Sequence, residues 1–244
     1  ATVISADDIK WGYLNPLRGD KSPGAADLWG DRTKDKATGM LVRFNKGFSS
    51  PPHIHNISYR GVVIKGLLHN DDPSASRLWM PPMSFWTQPA GEDHITAAND
   101  ESNLIYLEID SGPYLVKPSS EMFSNGEFPI NLHESNMVWQ SKSAGTPQVE
   151  ETLLWGSTEK GQLGGSLLRF SDSFNGQLKT RAQEFRAVVI AGTVNYKKKH
   201  DDVKSLSQGS YFDSSGIYAH SVSIEKGTVI YLRDNDKVVV APNK

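Results

Sequence analysis

The chain has 244 residues, room for one large domain or two compact ones, and its 37% hydrophobic, 22% charged and 9% aromatic content is that of a globular, soluble protein. A net charge of −2 and the lack of any apolar run near the roughly 18 residues of a spanning helix argue against a nucleic-acid partner and a membrane partner. With no cysteine, the chain has no disulfides, no thiolate metal ligands and no iron–sulfur clusters.

Taken in chain order, the sequence opens Ala1-Thr2-Val3 without Met or a charged-then-apolar leader, which suits a processed periplasmic or secreted protein. Asn15-Pro16 announces a turn that carries Arg18-Gly19-Asp20. Short strands are predicted over 39–44, 62–68 and 104–109, with a turn at Asn70-Asp71-Asp72-Pro73. Trp79, Phe85 and Trp86 are expected to line or cap the core. Residues 119–134 mix polar, Gly and Pro residues and read as a connector. Further strands are predicted over 167–170, 188–194 and 228–232, and Lys197-Lys198-Lys199-His200 as an exposed hairpin tip.

The chain also repeats itself. Leu28-Trp29-Gly30 recurs as Leu154-Trp155-Gly156, Arg43-Phe44 as Arg169-Phe170, and the run from Arg60 to Gly66 as Arg186 to Gly192, each 126 residues on. Ser84 and His94 match Ser210 and His220 at the same offset. One constant offset over that length points to a tandem internal duplication. The expected division is therefore a first β-domain over 1–118, a connector over 119–134 and a second β-domain over 135–244.

Chemistry concentrates in the first half. Residues two apart on a strand share a face, so His53 and His55 can present two imidazoles to one metal ion, and a third histidine, His94, follows Pro89-Ala90-Gly91-Glu92-Asp93. Gly47, His53, His55 and Gly66 are in register with the first motif of the cupin superfamily, and Pro89, Gly91 and His94 with its second. The sequence resembles that superfamily, and within it a group of two-barrel proteins (bicupins) of unknown function related to the ChrR-like cupins. It departs at three places: Tyr59 stands where the family has a glutamate ligand, Met83 where the second motif opens on glycine, and Ala98 where that motif has Asn. The resemblance implies an all-β fold of two tandem jelly-roll barrels and metal ligation by His53, His55 and His94.

Three neutral imidazoles leave a divalent ion's full charge in place, which favours hydroxide or an anionic ligand. Tyr59 shares strand parity with His53 and His55, as a neighbour of the metal or as packing. His69 is a possible fourth ligand, Glu92 and Tyr59 are candidates for catalysis, and Trp86 and Tyr106 for the pocket wall. At offset 126, His53 becomes Lys179, His55 becomes Arg181 and Tyr59 becomes Phe185, so the second barrel is expected to be degenerate and metal-free.

The histidines favour a protein with one divalent metal ion, iron or zinc, and the family resemblance implies a dioxygenase-like enzyme acting on a small chelating substrate. The alternative is a non-enzymatic cupin that binds or senses a metal or small ligand. Barrel edges can drive homodimerisation, but the sequence carries no decisive interface signal and leaves the assembly open.

Overall fold

The computed structural model describes residues 1–146, 148–199 and 202–244. Among them the protein is all-β, with regular helix limited to short 3-10 turns. No described helix is long and apolar enough to cross a membrane. His200, the last residue of the basic run, lies outside the described residues.

The chain forms two compact units, one of Lys10–Asn136 and one of Ala1–Ile9 with Met137–Lys244. In the first unit a seven-stranded antiparallel sheet runs in the order Ile130–Leu132, Phe85–Gln88, Tyr59–Lys65, Asn103–Ile109, Thr38–Phe44, Gly24–Trp29, Gly12–Tyr13. Opposite it, His53–His55 pairs with Val116–Pro118 and Leu68–Asp71 with Ile95–Ala98. Alternation along the strands turns Met40, Val42, Tyr59, Val63, Trp86, Ile105 and Leu107 into one buried core. This is a jelly roll, two sheets closed over an apolar interior.

The second unit repeats the plan. Its seven-stranded sheet has the order Val3–Ile4, Tyr211–Ser214, Phe185–Ala191, Val229–Asp234, Gly164–Phe170, Val149–Gly156, Gln140–Ser141. Thr38–Phe44, Tyr59–Lys65, Leu68–Asp71 and Phe85–Gln88 reappear with identical bounds 126 residues later. Side-chain contacts repeat as well: Arg43 stacks on Trp11 and Arg169 on Trp139, each 4.1 Å from the ring centre. The Nε1–H of Trp29 donates to Tyr106 Oη, and that of Trp155 to Tyr231 Oη, both at 2.9 Å.

Two boundaries differ from those expected at 118, 119–134 and 135. Residues 1–9 belong with the second unit, because Val3–Ile4 adds to the edge strand Tyr211–Ser214. Residues 119–136 belong with the first, because Ile130–Leu132 adds to the equivalent edge strand Phe85–Gln88. Edge strands leave backbone donors and acceptors unpaired, and a short extended segment satisfies them. Their composition, rich in turn formers, hides this pairing in the sequence. Asn70 and Asp71 likewise belong to the strand Leu68–Asp71, and the turn falls two residues later, closed by Ala75 N–H to Asp72 O at 3.0 Å.

Candidate metal centre

His53 and His55 lie on the strand His53–His55 with Ile54 between them, and both imidazoles are buried. Alternation sends the two rings to one side, as the spacing requires. His94 arrives from the facing loop, where His53 and His94 exchange backbone bonds, N–H to O, at 3.1 and 3.0 Å. That loop turns at Gly91, whose φ is +78 and where an added Cβ would lie 2.4 Å from the Phe123 carbonyl, so a side chain is excluded. The amide of Gly91 donates to the His55 carbonyl at 2.9 Å, tying the loop to the histidine strand.

The ligand atoms of His53, His55 and His94 all lie within 4.8 Å of one another. Each imidazole is oriented by a backbone carbonyl: Nδ1 of His53 lies 2.9 Å from Pro51 O, that of His55 2.9 Å from Leu115 O, and that of His94 3.1 Å from Glu92 O. A carbonyl only accepts, so each Nδ1 carries the proton and each Nε2 presents a lone pair. Carbonyl-fixed tautomers of this kind orient metal-binding histidines. Nε2 of His94 is buried without a hydrogen-bond partner. A buried orphan acceptor is costly unless something occupies the space before it.

Burial holds all three imidazoles neutral at pH 7. His94 is pushed down to about 3, first by burial and then by its neighbour His53. His55 falls well below the ordinary histidine range through burial and the positive charge its two neighbours would carry, and burial also lowers His53. Neutral imidazoles converging through Nε2 lone pairs are what a divalent ion needs, and among the described residues no thiolate or carboxylate is grouped with them. The donor set fits such an ion.

Tyr59, in the glutamate position, turns away into a polar chain. Its Oη–H donates to Asn70 Oδ1 at 2.8 Å, Asn70 Nδ2–H donates to Gln88 Oε1 at 2.8 Å, and Gln88 Nε2–H donates to the Glu92 carbonyl that also holds His94. Thr96 Oγ1–H donates to the same Asn70 oxygen at 2.7 Å. Burial pushes the Tyr59 phenol up to about 12, so it keeps its proton at neutral pH. Tyr59 thus orients Asn70 and, through it, the loop behind His94.

Other expected positions fall elsewhere. His69 stands outside the three-histidine group, and its Nδ1 accepts the Leu78 amide at 3.2 Å. Glu92 enters the centre through its carbonyl, and its carboxylate is not among the grouped ligand atoms. Trp86 is fully buried in the core, over Gly61, where a Cβ would lie 2.4 Å from the indole. Tyr106 faces the other side of its strand from Ile105 and Leu107, so neither Trp86 nor Tyr106 lines the cavity beside His53, whereas Ile105 and Leu107 do.

Sequence reasoning missed Tyr114, whose ring packs on His55 at 4.6 Å and whose Oη lies 3.4 Å from His55 Nε2. It belongs to neither histidine motif, and no local signal marks it. Asn70 and Gln88 were also missed, and here the repeat holds a signal. Positions 59, 70 and 88 become Phe185, Tyr196 and Ser214, a joint change of three interior residues.

The second barrel uses those residues differently. His220 is as buried as His94, but Tyr196 Oη lies 2.7 Å from its Nδ1 and Ser214 Oγ 3.0 Å from its Nε2, so both ring nitrogens are engaged. Register corrects the expected counterparts of the two strand histidines. His53 bridges His94, whereas His220 pairs with Leu178, not Lys179. Leu178 and Thr180 therefore occupy the interior places of His53 and His55, while Lys179 and Arg181 are exposed. Met83 makes a further repeat comparison: it is the one described non-glycine residue with positive φ, +74, and its counterpart Gly209 has φ +87. The backbone shape of the missing motif glycine is kept although the residue is not.

A family model, Domain of unknown function (DUF4437), matches residues 2–240, and the chain belongs to that family. No curated protein matches the chain. Among solved structures, a candidate dioxygenase from Nostoc punctiforme is 15% identical with a TM-score of 0.68, covering 100% of this chain and 82% of that one. Quercetin 2,3-dioxygenase from Acinetobacter baumannii is 15% identical with a TM-score of 0.59, over 96% of this chain and 82% of that one. A variant of oxalate decarboxylase from Bacillus subtilis is 12% identical with a TM-score of 0.61, over 98% and 79%. At such identities the likeness is one of fold, and that fold is the cupin jelly roll.

Proposed function

Proceeding from membership of the DUF4437 family, we propose that the first barrel holds one divalent metal ion, iron or zinc, on Nε2 of His53, His55 and His94, and that the protein is a mononuclear metalloenzyme of the dioxygenase kind acting on a small chelating molecule. One observation carries the reading: three neutral imidazoles, each fixed through Nδ1 by a carbonyl, converge through Nε2 atoms within 4.8 Å of one another, that of His94 a buried orphan and that of His55 accepting only the Tyr114 hydroxyl at 3.4 Å. The dioxygenase names of the Nostoc and Acinetobacter proteins favour oxygen chemistry over hydrolysis.

When bound, the metal supplies Lewis acidity and open positions for an oxygen donor. The chain's own residues do the rest. Pro51, Leu115 and Glu92 carbonyls hold the imidazole tautomers; Tyr59, Asn70 and Gln88 hold the His94 loop. The apolar residues Val42, Ile105 and Leu107 keep water from the adjoining cavity. The second barrel serves as a scaffold in this reading, descended with the first from one ancestral barrel by duplication; the equal strand order and the 126-residue offset support that origin.

The test is elemental analysis of untagged protein purified without chelators, beside the double variant His53→Ala/His55→Ala, followed by oxygen-uptake measurement. About one metal per wild-type chain and none in the variant is expected. No metal in either, after reconstitution with Fe(II) and Zn(II), refutes the site. Bound metal with no oxygen consumption across small chelating substrates returns the function to the binding or sensing class that the ChrR-like resemblance implies.

A further inference from the structure

A cavity of about 100 Å³ opens beside His53 in the first barrel. It is well below the few hundred Å³ of sites for drug-sized ligands, so its occupant is small. Val42, Phe44, Ile105 and Leu107 give it a hydrocarbon wall, and Tyr59, Thr96 and Tyr114 bring it to the histidine centre. Its facing wall is the segment 14–23, which contributes Arg18.

That segment is pinned rather than loose. Leu14 N–H donates to Pro23 O at 2.9 Å, closing its base, and Asn15 N–H donates to Ser22 Oγ at 2.8 Å. Asn15 Oδ1 in turn caps the 3-10 turn Pro16–Lys21 through the Leu17 amide at 3.2 Å. This turn places Arg18 on the cavity wall, where it remains solvent-exposed. Among the described residues it forms no ion pair. Neither Asp nor Glu lines the cavity, so the one formal charge on its wall is positive. A bound divalent ion on three neutral imidazoles would add to that sign. An apolar chamber with a single unpaired guanidinium selects a ligand with a hydrocarbon body and one planar anionic head.

We propose that this cavity takes a small apolar carboxylate, its hydrocarbon part against Val42, Ile105 and Leu107 and its carboxylate on the Arg18 guanidinium. The inference deepens the metal-site reading by naming the class of molecule brought to that centre. Its test is calorimetric titration of the full chain with 3-methylbutanoate and with the neutral isostere 3-methylbutanamide, for wild type and Arg18→Gln. The chain is first dialysed against EDTA, so that Arg18 alone supplies the attraction. The acid is expected to bind wild type about tenfold more tightly than the amide, the size of a charge-assisted hydrogen bond, and Arg18→Gln is expected to lose that preference. Equal binding of the two probes, a preference that survives Arg18→Gln, or binding of neither probe overturns the proposal. Zinc and iron stoichiometry measured on parallel samples keeps the two ideas apart. Failure of the preference in a chain that takes up one zinc refutes the carboxylate site alone, and uptake of neither Zn(II) nor Fe(II) beside an intact preference refutes the metal reading alone.

Discussion

Two histidines at equivalent places in the repeat, His94 and His220, are each 0% exposed, yet their replacement by leucine should act on stability in opposite directions. In the metal-free protein, Nε2 of His94 is an unpartnered buried acceptor, a group that costs about 1–3 kcal/mol. His94→Leu removes it. The Nδ1 bond to the Glu92 carbonyl is lost too, at about 1 kcal/mol, but that carbonyl keeps the Gln88 Nε2–H donor at 3.2 Å and is not orphaned. The net effect lies between zero and about 2 kcal/mol in favour of the variant. His220→Leu strips partners from the buried hydroxyls of Tyr196 and Ser214 at about 1–3 kcal/mol each, so a loss of roughly 2–6 kcal/mol is expected. Urea unfolding of EDTA-dialysed protein at pH 7.5, followed by tryptophan fluorescence, reads both changes. Repeating it with zinc at a hundredfold excess over its dissociation constant should add about 2.7 kcal/mol to wild type and to His220→Leu, and nothing to His94→Leu. If His94→Leu destabilises the metal-free protein as much as His220→Leu does, the orphan-acceptor argument is wrong.

Acid should unfold the metal-free protein early. His94 and His220 are each pushed down to about 3 from an ordinary 6.5, chiefly by burial, so the unfolded chain takes up protons before the folded one. Stability should be level above pH 6.5 and fall progressively between about 6.5 and 3, by on the order of 4 kcal/mol for His94 alone; a flat urea midpoint from pH 7 to 4.5 would contradict this. The register of the second barrel gives a construction test. Leu178→His/Thr180→His places two imidazoles beside His220 and should raise zinc uptake from one toward two per chain, whereas Lys179→His/Arg181→His points them to solvent and should leave it at one. Equal uptake by the two pairs in elemental analysis would refute the register.

Much of this protein is written locally. Alternation of apolar residues, the offset of 126 and the placement of His53, His55 and His94 depend on spacing along a strand or between repeats, and spacing is what a sequence displays. The all-β class and the two β-domains followed from it, and the cupin resemblance implied the barrels and the three-histidine set.

What the sequence left open was decided by contacts between residues far apart. Residues 1–9, expected in the first barrel, join the second, and residues 119–134, expected as a connector, join the first, because edge strands need pairing and an extended segment in reach can supply it. A one-residue shift of register in the second barrel exchanges Lys179 and Arg181 for Leu178 and Thr180 inside, since a slip of one flips every side chain to the opposite face. Tyr114 meets His55 across 59 residues, and Arg18 reaches the cavity from a turn with no motif of its own. By itself, the sequence determined which chemistry the chain could carry. Only the tertiary structure decided which nitrogens remain available for it, because Nε2 of His94 meets no partner whereas the hydroxyls of Tyr196 and Ser214 engage both ring nitrogens of His220.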